Sequence, residues 1–491
     1  MAEGRFARTD REPESALLNG CYNAYDGHDG GEHLLMCRIP WRGGMFIETP
    51  GMWQGVWTHN ACSGMYGWEP FFAPEDSLAH RRSLELLFAV QREDGMLPEA
   101  AIPSEARAHQ DALTGDRSRD PHGSVVITEA GDMGMFYNDN QVHGDVFVDG
   151  HCMGLVMICE HALWTRDMAW TRGVFGKIAK CVDFLQGRRR DEGLIWVGSG
   201  GTVFEQCFGY KGYPSSTQIF AVGAILRAAE VAKMLGTPKP EWISLAEEIK
   251  AAMYARLYSP KGFFVSAMDE KGTWHGHLDY FESFPNVFVG PLGLARTNEV
   301  MGIVGRIAQI PEVDMHTPIC SCYPGRPGFD IHYSHGGPGY HMNGGAWMGW
   351  GGLDVWTHLM AGKFDRARYL IENLVEMQKH KTLMDRVEEF GRDRDGKTGT
   401  TGCGHPLRAS AGGFGNILRG MFDLQVYADR IEYRPLFLRG TGKVETKVPA
   451  RWGGVEVRFA LDEDAEAFFK PASVLSIDQV AGRQQVTADG G

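Results

Sequence analysis

Apolar residues recur at helical spacing in segment after segment of this chain, and the segments come in consecutive pairs. Over residues 215–235, Ile219, Val222, Leu226 and Ala229 fall on one face. Over 240–258, Trp242, Leu245, Ala246, Ile249, Met253 and Leu257 do the same. Side chains three and four apart share a helix face, so each such segment has a stripe to bury against a neighbour. A pair at 150–164 and 168–186 precedes these two. Earlier still, Pro74-Glu75-Asp76-Ser77 announces a helix, with acids at its positive end, that runs to Gly95. Helical patterns at 286–310, 344–361, 363–379 and 411–424 follow. The turns within a pair are short and the loops between pairs long. The segments alternate between strongly apolar and amphipathic, which predicts two concentric rings of helices with the inner ring buried on most sides. No close sequence repeat is visible, so a consensus solenoid is excluded.

The loops between the pairs carry the unusual residues. The chain has 64 Gly, 13 Trp and 15 Tyr among its 491 residues, and the glycines gather between the helical patterns, where tight loops need close backbone approach. Residues 331–343 bring Tyr340, His341 and Asn343 to the start of an apolar helix, and a later loop carries Glu388 and Glu389. Residues 101–145 read as a long loop rich in charge, Gly and His, of the kind that is functional or mobile in a compact domain. Residues 1–40 read as an irregular lead-in. After Phe422 the period changes to two, as in strands, through 426–477, and the polar residues 478–491 read as a disordered tail.

Bulk properties exclude several classes. The formal charge is −13, from 62 acidic against 49 basic side chains, the wrong sign for binding phosphate backbones or anionic lipid. No run of about 18 apolar residues offers a membrane span. The charged first residues lack the apolar core of a secretion signal, and the ten cysteines are scattered without paired spacing, so a cytoplasmic location is expected. There is no G-x-x-x-x-G-K-[ST] phosphate loop, no H-E-x-x-H and no G-x-S-x-G elbow, and Gly198–Gly201 lacks the strand–helix context of a dinucleotide site.

Three segments together resemble the six-hairpin glycosidases. The Trp-rich approach from Gly51 leads through a first helix to Gln91-Arg92-Glu93-Asp94-Gly95-Met96-Leu97-Pro98, which matches a Gln-x-x-Asp-Gly-x-x-Pro turn of that superfamily. The segment GYPSSTQIFAVGAILRAAEVAKMLG looks like a middle hairpin, and GHPLRASAGGFGNILRGMFDL with RIEYRPLF looks like the closing helix and the start of a trailing β segment. The resemblance covers residues 41–440, with rhamnosidase-like, trehalase-like and glucosidase-I-like enzymes as the nearest groups. It implies an all-α fold, an (α/α)6 toroid over 41–425 with a small C-terminal β segment. It also implies a carbohydrate substrate and an inverting hydrolysis that needs no cofactor.

Inversion uses one carboxylic acid to protonate the departing oxygen and one carboxylate to activate water, about 6.5–9.5 Å apart. The two need opposite protonation at one pH, so the acid's environment must raise its pKa. The resemblance puts the water-activating Glu in the loop before the last hairpin helix, at Glu389 or Glu388. Glu389 is favoured because Phe390 and Gly391 follow it where the chain enters the pocket; a solvated acidic turn is the alternative. For the acid, Glu205 stands among Phe204, Cys207, Phe208 and Tyr210, neighbours able to desolvate a carboxyl. Asp145 and Asp149, just before another helix, are its rivals. Where the rhamnosidase-like branch carries an Asp after Trp-Thr-Gly, this chain reads Trp57-Thr58-His59-Asn60, which shifts the expected acid to the middle loops.

Sugars stack their C–H faces on aromatic rings and need polar partners for their hydroxyls. Trp53, Trp57, Trp68, Trp347 and Trp350 are candidates for stacking, with core packing the alternative for each. His59, Asn60, Tyr340, His341 and Asn343 are candidates for the hydroxyls. Cys320 and Cys322 with Cys403 and His405 offer a possible zinc set of unusual spacing, against which buried thiols are the simpler reading. A sugar phosphorylase, an epimerase or isomerase using the histidines at 332–341, and a non-catalytic carbohydrate-binding toroid are the competing readings.

Overall fold

The computed structural model describes residues 7–9, 38–39, 45–46, 56–98, 100–103, 125–127, 133–136, 148–198, 211–275, 280–311, 319–325, 344–379, 389–392, 398–400, 408–436, 444–446, 449–461 and 472–490. Among them, eleven helices build the body: α1 (Thr58–Trp68), α2 (Pro74–Ala89), α3 (Val148–Thr165), α4 (Met168–Gly187), α5 (Ser215–Met234), α6 (Pro240–Leu257), α7 (Ser283–Val289), α8 (Thr297–Ile307), α9 (Met348–Met360), α10 (Phe364–Lys379) and α11 (Arg408–Met421). The odd-numbered helices form a closed ring in chain order, each against the next and α11 against α1. The even-numbered ones pack outside it: α2 on α3, α4 and α6 on α5, α8 and α10 on α9. The two-ring expectation therefore holds, and burial explains it. In α3 every residue from Val148 to Trp164 is buried, whereas α4 buries only a stripe containing Thr171, Ile178, Cys181, Val182, Phe184 and Leu185.

Glycines close the ring. A Cβ on Gly412 of α11 would lie 2.0 Å from the Gly64 Cα of α1, and one on Gly67 would lie 2.0 Å from the Asn416 nitrogen. On the opposite side of α11, a Cβ on Gly352 of α9 would come within 1.9 Å of the Gly413 carbonyl oxygen. These backbones meet where no side chain fits, and the Asn416 amide fastens the junction by donating to the carbonyls of Ser63 (2.6 Å) and Gly349 (3.3 Å).

A structural unit recurs around the ring although its sequence does not. Outer helices α2, α4 and α6 are each followed by a turn in which the glycine N–H returns to a carbonyl three residues back: Gly95 to Arg92, Gly193 to Arg190, Gly262 to Ser259. These glycines have φ of +95°, +80° and +86°, which residues with a Cβ avoid. The Gln91 side chain of the first turn donates to the Gly95 and Lys177 carbonyls, both at 2.9 Å, and so ties α2 to α4. Short strands then pair with strands that lead into inner helices. Val56–Trp57 pairs with Ala100–Pro103, Tyr213–Pro214 with Ala267–Met268, Phe281–Glu282 with Cys322–Tyr323, and Ala346–Trp347 with Glu389–Arg392. The first strand of each pair enters the N-terminal end of an inner helix, so the four pairs gather at one end of the toroid, its mouth.

The opposite end is sealed. Glu160 of α3, Arg227 of α5 and Arg419 of α11 meet there, buried. Arg227 Nε donates to Glu160 Oε1, and Arg419 donates to Glu160 Oε2 at 3.0 Å. Trp164 Nε1 adds a bond at 3.1 Å, and Arg227 also donates to the Tyr66 hydroxyl at 2.7 Å. Burial alone would raise the Glu160 pKa, but the two guanidinium groups outweigh it and hold the carboxyl below its ordinary value. The β segment docks over this end: Trp452 Nε1 donates to the Leu163 carbonyl at 3.2 Å, and Gly453 N to Trp164 O at 2.8 Å.

Several expectations are corrected. Thr58–Trp68, part of the stretch read as a Trp-rich approach, is helical, and burial of every residue from Ala61 to Trp68 holds its glycines and small polar residues in that form. The pattern at 286–310 is two helices, split at Gly290-Pro291-Leu292-Gly293, where Pro291 cannot continue the hydrogen-bond ladder. Within 101–145, strands Val125–Ile127 and Met133–Phe136 extend the mouth sheet of Ala100–Pro103. Ala7–Thr9 of the lead-in joins the C-terminal sheet through Val444–Thr446. The tail is ordered as well: Ile477–Val480 is a helical turn, and Gln485–Gly490 pairs in parallel with Val455–Leu461, since ladder bonds hold a polar strand as readily as an apolar one.

Candidate active site

Of the sequence candidates, Trp57, His59, Asp149, Trp347 and Trp350 stand at or near the N-terminal ends of inner helices, at the mouth. Trp347, the last residue before α9, stacks on Trp350 with ring centroids 4.8 Å apart and planes at 23°. Trp350 meets Phe284 of α7 at 4.7 Å, and Phe284 meets Phe220 of α5 at 5.3 Å. The column continues through Phe288 to Tyr66, over whose ring the Arg419 guanidinium lies at 3.9 Å. Burial pushes the Tyr66 hydroxyl up to about 12, so it stays a neutral donor, to the Pro291 carbonyl at 3.0 Å. Aromatic rings thus run along the inner ring from the mouth toward the opposite end, and Trp347 and Trp350, both buried, are the members at the mouth end.

Glu389 opens the strand Glu389–Arg392, and the antiparallel register sets it opposite Trp347, with Phe390 opposite Ala346. The backbone at 389 therefore sits at the N-terminal end of an inner helix, where the helix dipole favours an anion. The Glu389 side chain lies outside the described residues. So do Glu205, Glu388, Asp145, Trp53, Tyr340, His341 and Asn343, together with the Asn60 side chain and the zinc candidates Cys403 and His405. Of the segment that carries Glu205, the structure describes both ends: Val197 and Gly212 exchange N–H···O bonds of 2.8 Å each, close to the start of α5.

Asp149 is wholly buried in the first turn of α3, with Oδ1 accepting the Gly150 N–H at 2.8 Å. Trp57 is buried at the start of α1, and the partly buried His59 ring stands edge-on to it, 6.0 Å between centroids. Trp68 is a correction. It lies at the far end of α1, wholly buried, with Gly415 so close that a Cβ there would be 2.7 Å from its ring; it has no face left for a sugar. Among the described residues no group of three or more His, Cys, Asp and Glu converges as metal ligands. Cys322 Sγ accepts the Tyr280 hydroxyl at 3.1 Å.

Sequence reasoning missed the braces of the mouth. His151, Gln218 and Asn286 each occupy the fourth position of an inner helix, and each grips the backbone just beyond a glycine turn. Gln218 Oε1 accepts the Ile195 N–H at 2.8 Å while its Nε2 donates to the Ile195 carbonyl at 2.9 Å. Asn286 does the same to Phe264, at 2.9 and 3.1 Å. His151 Nδ1 accepts the Leu97 N–H at 2.9 Å, which leaves its proton on Nε2, 3.2 Å from the Cys181 carbonyl. Burial pushes the His151 pKa down to about 4, in keeping with that neutral tautomer. The recurrent charged-Gly-apolar-apolar run (Asp94 to Leu97, Glu192 to Ile195, Lys261 to Phe264) was the available signal.

No family model matches the chain, and no curated protein matches it in sequence. Solved structures do match. A GH78 family rhamnosidase of Bacillus sp. GL1 aligns with 100% of this chain and 43% of its own, with a TM-score of 0.58 and 11% identity. A rhamnosidase from Klebsiella oxytoca, with rhamnose bound, aligns with 84% of this chain and 66% of its own, with a TM-score of 0.53 and 12% identity. The fold is the six-hairpin (α/α)6 toroid. A glycosidase in complex with glucose, at TM-score 0.50 and 15% identity, shares it over 84% of this chain and 98% of its own. This toroid chain spans under half of the Bacillus enzyme and about two thirds of the Klebsiella one. Identities this low establish the fold; what the site does rests on its own chemistry.

Proposed function

We propose that this toroid is an inverting glycoside hydrolase, with Glu389 as the general base, Glu205 as the general acid and a sugar ring bound near Trp347. The observation that carries the reading is the pairing of residue 389 with Trp347 at the mouth. It sets the backbone of residue 389 opposite one of an aromatic pair at the N-terminal ends of the inner helices, away from the buried Glu160, Arg227 and Arg419. In support, Val197 and Gly212, which flank the segment carrying Glu205, pair with each other close to the start of inner helix α5. In the reaction, Glu389 takes a proton from water as it attacks the anomeric carbon, and Glu205 gives its proton to the departing oxygen. His59, Asn60, Asp145, Tyr340, His341 and Asn343 are assigned to substrate binding, with Asp149 and Trp57, both buried at inner-helix starts, supporting them from within the wall. Glu388 is the alternative base.

The test is sugar release from a panel of aryl glycosides and oligosaccharides, with and without phosphate. Release that needs no phosphate and is abolished in Glu389→Gln, while the ligand still binds by calorimetry, is the expected result. Release only with phosphate would make the protein a phosphorylase. Binding without release would refute hydrolysis.

A further inference from the structure

Where the β segment meets the toroid, a cluster of titratable groups lies that the catalytic reading leaves unused. Glu69 follows α1 directly, in the helical turn Glu69–Phe71. Its Oε1 accepts a hydrogen bond from His161 Nδ1 at 2.7 Å, and its Oε2 stands 3.2 Å from His80 Nε2. Glu69, His161 and His80 are all buried, at 3%, 1% and 0% exposure. The carboxylate thus joins α2 to α3, and each of these neighbours leads to a grip on the β segment. On the α2 side, the Phe72 ring packs on His80, 5.5 Å between centroids, and the Phe72 carbonyl accepts from Arg451 Nη1 at 3.0 Å. On the α3 side, His161 shares the last turn with Leu163 and Trp164, whose carbonyls accept from Trp452 Nε1 and the Gly453 N–H. Strand Ala450–Trp452 itself rests on the Glu69–Phe71 turn.

We propose that Glu69, His80 and His161 form a proton-operated latch: it holds the β segment on the toroid while an imidazole carries a proton, and it loosens that hold as the pH rises. A buried carboxylate beside an imidazolium is an ion pair. Once the proton leaves for solvent, neutral rings offer N–H donors but no counter-charge, and an uncompensated buried charge is costly. Imidazole is the side chain that makes this change between about pH 5 and 8. The surrounding charges leave the task to the histidines. Asp76, buried one turn before His80 on the same face of α2, adds a second acid rather than a cation. Glu160, beside His161 in α3, is paired with Arg227 and Arg419. From α4, whose Trp170 stands edge-on to His161 at 5.2 Å, comes Asp167, which holds Arg81 at 2.9 Å; Arg81 also meets Glu85. Arg451 pairs with Glu456 at 3.2 Å, and Arg166 lies over the Trp452 ring and donates to the Ala428 carbonyl. Each of these fixed cations is engaged elsewhere.

The experiment follows hydrogen exchange of the Gly453 amide, which reports directly on docking through its bond to the Trp164 carbonyl. Exchange is read by fragmentation mass spectrometry from about pH 5.5 to about pH 8.5 and corrected for the intrinsic rate, in wild type, Glu69→Gln, His161→Gln and His358→Gln. In wild type, Gly453 should lose protection about tenfold or more from the acid to the alkaline end. Amides of the ladder between Val455–Leu461 and Gln485–Gly490 should stay protected, because only the docking loosens. Glu69→Gln leaves no charge to balance, so its protection should vary by less than about twofold over the same range. His161→Gln should keep a reduced dependence, carried by His80, and serves if Glu69→Gln does not fold. His358→Gln removes an imidazole–carboxylate pair on α9 and should retain the wild-type dependence at Gly453. Constant protection in wild type, a full pH dependence in Glu69→Gln or His161→Gln, or a loss at Gly453 in step with the amides of α5 would overturn the proposal. So would disappearance of the effect in His358→Gln.

Discussion

Replacing Gly412 by Ala adds one methyl group to α11 and should be among the most disruptive small substitutions in the chain. The new Cβ would lie 2.0 Å from the Gly64 Cα, where carbon atoms ordinarily stay about 3.5–4.0 Å apart. The helices would have to separate by more than an ångström. They cannot do so freely: α11 is held against α9 from the other side, where Gly352 meets the Gly413 carbonyl, and the Asn416 amide ties α11 to both neighbours. Overpacking of this kind costs about 1–3 kcal/mol, and with backbone on both sides the upper end applies. Helix propensity works the other way, since Ala is favoured over Gly by about 1 kcal/mol in a helix interior. The net expectation is a loss of about 2 kcal/mol. Gly173 supplies the control: it sits on the exposed face of α4 with nothing within 4 Å of an added Cβ, so Gly173→Ala should gain up to about 1 kcal/mol. Denaturant midpoints of the two variants, measured beside wild type, should move in opposite directions. If Gly412→Ala unfolds at or above the wild-type midpoint, the close contact of α1 with α11 is not what closes the ring.

Two buried histidines should shape the pH dependence of stability in opposite senses. His151 is depressed to about 4 by burial, so the unfolded chain binds the extra proton between about pH 6.5 and 4. Its contribution is complete above pH 6.5 and falls by about 3 kcal/mol as the pH drops through that window. Denaturant midpoints between pH 4 and 7 should lose part of this acid sensitivity in His151→Gln, which keeps an acceptor for Leu97 N–H; an unchanged slope would show that His151 is not buried neutral. At His358, burial lowers the pKa, but the charge and hydrogen bonds of Asp354, whose Oδ1 is 3.0 Å from Nδ1, more than compensate and the net shift is upward. Its contribution is therefore complete below about pH 6.5 and disappears as the pH rises through the raised value. His358→Gln should destabilise most in mild acid and least in alkali, and a melting-temperature difference that grows with pH would contradict the ion pair.

Parts of this architecture were legible because their physics is local. The stripes on α4, α6 and α10 are periodic because one face meets water, and α3 and α5 stood out because a run of apolar residues has few other uses. The turn at Gln91–Pro98 announced itself through Gly95. What escaped depends on partners distant in the chain. Helix α1 has Gly64 and Gly67 where a helix former is expected, and those glycines make sense only once Gly412 and Asn416, some 350 residues on, are known to press against them. Glu389 could be singled out by its place before the last hairpin helix, but its opposition to Trp347 is a matter of strand register, which four isolated letters of sequence do not specify. Trp68 illustrates the converse: Trp57, Trp347 and Trp350 stand at inner-helix N-termini, and Trp68 has the same composition around it but stands at the other end of its helix. The eleven residues of α1 thus carry one tryptophan from mouth to plug, and only the direction of the helix decides that Trp68 is core. The same direction explains the division of polar residues along the inner ring. Near the N-termini, amides and an imidazole brace the backbone beyond the glycine turns. Near the C-termini, Glu160, Arg227 and Arg419 pair with one another and with Trp164, Tyr66 and the Leu424 carbonyl, a buried polar network that closes the inner ring beneath the β segment.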